Sequence, residues 1–214
     1  MLLAAALVLA FLSYSATTRA LLNSTNAWAK NVIEANPFTG AVVFFLFSAL
    51  SAMLAFASSA VLIPAANLVW GKLVTFFLLW GGWVAGAIAA FGIGKLARPL
   101  LIRLGYKERL EKYREYVSRR MKFWMVLLFC FAVPSEIPGY VLGGVHYPFW
   151  RFLLAMAIAE SIYALGLVFA GESLATARTG SFIIIVAVVI LIAAVAGLLF
   201  RKLRERRSMR KHVD

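Results

Sequence analysis

Residues 121–148 read MKFWMVLLFCFAVPSEIPGYVLGGVHYP, and the reading of this stretch decides the fold. Its first part is apolar enough for a membrane helix. Then Pro134, Pro138, Gly139, Gly143, Gly144 and Pro148 follow in quick succession. A proline inside a helix removes a backbone hydrogen bond and clashes with the preceding turn, at a cost of about 3 kcal/mol. A straight spanning helix is therefore excluded here, although the segment is as apolar as its neighbours. The surrounding composition fixes the solvent. Of 214 residues, 63% are hydrophobic and 14% charged, whereas a soluble globule carries about 25% charged residues. In hydrocarbon every backbone N–H and C=O needs an internal partner, which leaves helices or a closed barrel. The apolar runs are far longer than the ~10-residue alternating strands of a barrel. The chain reads as an all-α, polytopic transmembrane protein.

The net charge of +13 raises nucleic acid as a partner, but its placement argues for a membrane surface. Lys95 to Lys122 holds ten Lys/Arg against Glu108, Glu111 and Glu115, and the tail from Arg201 holds seven against Glu205 and Asp214. Basic clusters flanking apolar spans are what the positive-inside bias produces. Both are expected on the cytoplasmic side of a bacterial inner membrane, and no nucleic acid is expected. Cys130 is the only cysteine, and His146 and His212 are the only histidines. No cysteine-clustered metal site can form from them, and neither metal nor cofactor is expected.

Working outward, residues 1–36 divide into an apolar stretch to about Leu22 and a polar link. The stretch lacks the basic n-region of a signal peptide and nearly reaches spanning length; a retained helix is favoured over a cleaved one. Residues 37–175 form the main membrane domain. In it, Ala41–Trp70 is rich in serine and interrupted by Pro64, and Leu73–Gly94 is a clean span with Gly82 and Gly86 four apart, a spacing that lets helices approach closely in lipid. Residues 95–122 are predicted to be a basic helix on the cytoplasmic side. Leu110, Tyr113 and Val117 fall on one face, suiting a helix that lies on headgroups. Phe149–Ala170 is a span, and residues 176–214 hold a last span, Ser181–Phe200, and the basic tail.

Charge placement sets the topology. If residues 121–148 crossed completely, three crossings would separate the two basic clusters and the tail would lie outside. If they enter and return, two crossings remain and both clusters lie inside. The first half repeats the pattern, with a broken segment containing Pro64 ahead of an oppositely directed span. Two broken segments in corresponding places of opposed halves predict two re-entrant hairpins in an inverted-repeat arrangement, with the site where the breaks meet.

Two blocks then become recognisable. Pro64–Lys95 (PAANLVWGKLVTFFLLWGGWVAGAIAAFGIGK) and Phe131–Gly171 (FAVPSEIPGYVLGGVHYPFWRFLLAMAIAESIYALGLVFAG) resemble the conserved blocks of the DedA superfamily, also called the VTT or SNARE-associated domain. Proline, glycine turn, Gly/Ala-rich span and a closing Gly94-Lys95 pair mark the first. A proline-containing tip, an aromatic turn and a span mark the second. The resemblance covers about Pro37 to Gly171. It implies facing re-entrant hairpins and movement of lipids between leaflets: phospholipid scrambling in eukaryotes, polyprenyl-phosphate recycling in bacteria. Many bacterial members carry an acidic residue where this chain has Ala65, Ala66 and Asn67, and an arginine where it has Phe131, so the family's proton and phosphate assignments do not transfer intact.

The residues point to a substrate or proton path through Glu136, Glu160, Arg151, Pro134, Pro138, Pro64, Asn67 and Lys72. An intramembrane carboxylate is a functional candidate by default. Glu136 sits between two prolines, where it either lines the path or caps local backbone donors. Glu160 lies mid-span, in the path or in a buried ion pair. Arg151 either snorkels to the interface or meets a headgroup phosphate. His146 is a candidate for phosphate binding or titration, with an interfacial role as the plainer alternative. Glu172 and Arg178 read as solvated. The favoured function is lipid translocation, with membrane lipids, anionic headgroups and protons as partners. Proton-coupled carriage of a small solute and a non-transporting membrane organiser are the alternatives. No nucleophile–base constellation is visible, and an enzyme is not expected.

Overall fold

The computed structural model describes residues 36–54, 59–120, 122–134, 136–175 and 179–209, and the expected N-terminal helix and link lie outside them apart from Asn36. Seven α-helices follow in order: α1 Pro37–Ser51, α2 Ile63–Leu101, α3 Lys107–Arg120, α4 Phe123–Ala132, α5 Glu136–Gly144, α6 Phe149–Ala175 and α7 Thr179–Met209. A short 3-10 turn, Ser59–Leu62, precedes α2. No strand occurs among the described residues.

Helix lengths sort these elements. Among the described residues, two helices are long and apolar enough to cross a membrane, the one beginning at Ile63 and Phe149–Ser173. They turn large apolar side chains outward: Leu73, Leu96 and Trp150 are 71%, 80% and 76% exposed. By contrast α1 has 15 residues, α4 has 10 and α5 has 9. At 1.5 Å per residue they extend about 22, 15 and 13 Å, short of the ~30 Å hydrocarbon core. α7 is one continuous helix that covers the expected span Ser181–Phe200.

The local chemistry explains each boundary. Asn36 caps α1 by accepting the Thr39 N–H at 3.3 Å, and Pro37 follows in the first turn, where its missing N–H costs nothing. Pro64 does the same for α2. It starts a helix rather than interrupting one, and the break in Ala41–Trp70 falls earlier, after Ser51. The span expected over Leu73–Gly94 runs on to Leu101 at its far end, and at its near end the non-helical Gly71 divides it from residues 63–70. Gly71 bends it sharply, with φ 75° and ψ 167°, a conformation open to glycine alone. The basic stretch is not one helix from 95 to 122. Lys95–Leu101 ends α2, a π turn spans Ile102–Tyr106, and α3 begins only at Lys107. Gly105 with φ 87° makes this corner. On α3 only Val117 of the expected apolar face is buried; Leu110 is half-buried and Tyr113 is exposed.

Packing divides the body into two clusters. Phe44 of α1, Ile63, Ala66 and Leu79 of α2, and Ala164 and Val168 of α6 form one. Phe91 of α2, Val126 and Cys130 of α4, Leu142 of α5, and Phe152 and Met156 of α6 form the other. Each broken segment thus packs against opposite halves of the same two long helices. Glycine permits the closest approaches. A β-carbon at Gly82 would stand 2.7 Å from the Phe45 carbonyl oxygen, and one at Gly86 would strike the Ala49 backbone. Gly94 likewise abuts the Tyr140 backbone and Gly143 the Phe91 backbone. The Gly82–Gly86 face therefore holds α1, as its spacing predicts.

Candidate functional site

A helix that ends inside an apolar body leaves its last carbonyls without intrahelical partners. Both broken segments meet this demand with a tyrosine. The Tyr140 hydroxyl of α5 donates to the Met53 carbonyl just past α1, at 3.1 Å, and the Tyr163 hydroxyl of α6 donates to the Phe131 carbonyl near the end of α4, at 2.6 Å. The first of these bonds joins the two broken segments directly. Beside it, the Trp83 indole N–H reaches the hydroxyls of Ser51 at 3.3 Å and Ser59 at 3.1 Å, and those hydroxyls lie 3.1 Å apart. Ser51 in turn donates to the Ser48 carbonyl at 2.9 Å. The end of α1 is closed by neutral polar groups.

The end of α4 is different. Glu136 opens α5 and is half-buried, and Pro138 two residues on is buried. Glu160 of α6 is 3% exposed. Its charge interacts with that of Glu136, and Cys130 and Tyr163 lie within its field. No cation stands against Glu160 among the described residues. The buried ion pair considered from the sequence is absent there. Two carboxyl groups thus act on each other's charge near the α4 break, in surroundings that penalise an unpaired charge.

The remaining expected residues scatter. Lys72 binds Glu172 at 3.0 and 3.1 Å and lies 5.3 Å from the centre of the Phe169 ring. Glu172 is therefore ion-paired rather than merely solvated, and Lys72 is committed to it. Asn67 donates to the Val168 carbonyl at 2.8 Å, while its Oδ1 is buried without a partner among the described residues. Pro64 is buried and Pro134 half-buried, each at a helix boundary. Arg151 is exposed beside Tyr147, as a snorkelling residue would be. Of the eight residues expected on one path, Glu136, Glu160, Pro134 and Pro138 gather at the α4 break. Lys72, Asn67 and Pro64 lie by the far end of α6, and Arg151 at its start.

The end of the molecule near Arg151 joins His146, a candidate from the sequence, to Arg98, which the sequence did not single out. Arg98 is 9% exposed; its Nη1 donates to His146 Nδ1 at 2.7 Å and its Nη2 to Glu111 at 2.5 Å. Burial first, and then the charges of Arg98, Lys95 and Arg114, hold the His146 imidazole below its ordinary pKa of 6.5. Helical spacing gives the signal in retrospect, since 95, 98 and 102 fall on one side of α2. Among the described residues no three His, Cys, Asp or Glu side chains gather as a metal site would need.

The described residues are thus all-helical, with two helices long and apolar enough to cross a membrane and large apolar side chains turned outward. The chain belongs to the VTT-domain family, the DedA/SNARE-associated family, whose domain model matches residues 56–173, more than half of its length. The match begins later than the resemblance from Pro37, so α1 precedes it although it packs on α2 as part of the same body. No curated protein and no solved structure matches the chain.

Proposed function

We propose that this chain carries lipids with phosphorylated headgroups from one leaflet to the other. One observation carries the reading: the end of α1, at Met53, is bonded to Tyr140 of α5, the helix that Glu136 opens, and the charge of Glu136 reaches the buried Glu160 of α6. A headgroup crossing the bilayer needs polar partners along an otherwise apolar body, and irregular backbone beside a carboxyl pair supplies them. The family resemblance supports the same reading. In it, α1 with residues 59–70, and α4 with α5, are re-entrant hairpins related as inverted repeats. The Arg98–His146 end faces the cytoplasm of a bacterial inner membrane, together with the C-terminus. The test is reconstitution into liposomes bearing fluorescent lipid. Bleaching from outside should consume inner-leaflet label only in vesicles that contain the protein. Loss of the outer-leaflet share alone would reject lipid movement.

The mutual charge effect of Glu136 and the buried Glu160 favours a second reading, a proton-coupled carrier of a small solute. In that case a pH gradient should drive solute flux in vesicles that show no lipid movement. Orientation has its own check. On a Cys130-free background, a cysteine placed at Arg210 should resist membrane-impermeant thiol reagents added outside; efficient labelling would reverse the topology.

A further inference from the structure

The Arg98–His146 end carries a wide, open cavity of ≈ 920 Å³ lined by Lys95, Arg98, Arg103, Arg114 and His146, with Gly92, Leu96, Pro99 and Ile102 between them. Four cations line it and no carboxylate does. Glu111 stands behind Arg98 and reaches Arg114 at 3.6 Å, so one carboxylate serves two guanidinium groups. Lys95 and Arg103 have no ion-pair partner among the described residues. Cations held this close repel one another, and an anion among them relieves the repulsion.

The imidazole is placed to take part. Arginine has no acceptor, so His146 Nδ1 accepts from Arg98, and this bond fixes the guanidinium at the cavity wall. Its backbone is also unusual. Tyr147 N–H donates to Leu142 O at 2.9 Å and His146 N–H to Gly143 O at 3.0 Å, the paired bonds that end a helix in a left-handed residue. His146 fills that position with φ 56°, where glycine is the ordinary choice and a β-carbon is strained.

We propose that this cavity binds a phosphate group, with Lys95, Arg103 and Arg114 supplying charge and the Arg98–His146 pair supplying oriented donors. The site is separate from the Glu136–Glu160 pair and does not depend on lipid translocation. The phosphate belongs either to an anionic lipid headgroup or to a soluble ion. Leu96, 80% exposed, and Pro99 and Ile102 offer an apolar wall for the chains of the former.

Native mass spectrometry of the full-length protein in detergent tests the site, with phosphatidylglycerol, phosphatidylcholine and inorganic phosphate as probes. Phosphatidylglycerol should be retained over phosphatidylcholine. A Lys95→Gln/Arg103→Gln variant should bind it about thirtyfold more weakly, at roughly 1 kcal/mol per basic group near a membrane surface. Inorganic phosphate that binds by itself and displaces the lipid would assign the site to a soluble phosphate; lipid retained in its presence assigns it to the headgroup. His146→Gly relieves the strained backbone and should fold at least as well, yet bind more weakly. Unchanged binding in both variants, or equal retention of the two lipids, would overturn the proposal.

Discussion

The two broken segments solve one backbone problem with different chemistry. Each ends a short helix inside an apolar body, and each has a tyrosine hydroxyl on a carbonyl at its break. Around the end of α1 the other polar groups are Ser51, Ser59 and Trp83, all neutral and bonded to one another. Around the end of α4 stand Glu136 and the buried Glu160. A break in a membrane helix thus does not by itself make a reactive site. At the first break the described hydroxyls and the Trp83 indole bond to one another, although the buried Ser48 hydroxyl has no partner among the described residues; at the second, Glu160 has no ion-pair partner among them.

The largest expected effect comes from the shared support. Gly143→Leu would drive a side chain into the Phe91 backbone and should cost about 3 kcal/mol or more, read as loss of folded protein in detergent by size-exclusion chromatography. Next, Glu160→Gln and Glu136→Gln should fold normally and lose most transport in the liposome assay, whereas Glu172→Gln, which is paired with Lys72 away from the α4 break, should retain it. Full transport by both α4-break variants would erase the contrast between the segments. Smaller still, Tyr140→Phe and Tyr163→Phe should each lower stability by about 0.6 kcal/mol, a common value for a hydrogen bond between membrane helices. Only Tyr163→Phe should also alter transport, because only its hydroxyl lies by the carboxyl pair. Thermal unfolding and vesicle assays on the same preparations separate these outcomes.

The finest effect concerns the Arg98–His146 end. His146 has a pKa below 6.5 in the folded chain. As pH falls from 6.5 toward that lower value, the unfolded chain takes up a proton that the folded chain refuses, so stability declines across this window and then levels off. Arg98→Gln removes one of the opposing charges and should move the pKa part of the way back up, since burial, the larger cause, remains. Imidazole NMR in a His212→Gln background follows the one signal. A pKa unmoved by the substitution would show that Arg98 does not act on the ring.

The sequence made the helix breaks legible because proline and glycine impose their geometry locally: Pro134, Pro138, Gly82 and Gly86 each do in the fold what their chemistry predicts. It also marked Glu136 and Glu160, since a carboxylate among apolar residues stands out in any order of reading. What escaped were partnerships across long stretches of chain. Lys72 and Glu172 are 100 residues apart, and no local pattern joins them. Trp80 reads as one more apolar residue in a span, yet its indole N–H donates to the Ala157 carbonyl at 3.0 Å. Arg98 was hidden differently, counted among many cations in a basic stretch when the chain buries it. The stretch is not one helix because Gly105 takes a left-handed conformation, a corner that the charge pattern does not reveal.

The glycines of α2 carry a consequence for how this chain can drift. Gly82 and Gly86 lie under α1, Gly94 lies under α5, and on the opposite side Leu73, Leu96 and Leu100 face outward with more than half their surface exposed. One rim of a single helix is closed to any added methyl, while the other accepts any greasy residue of suitable size. Related chains should therefore diverge freely along the outer rim and almost not at all along the inner one. A saturation scan of α2 would trace that boundary turn by turn, as a ribbon of intolerance winding down an otherwise permissive rod.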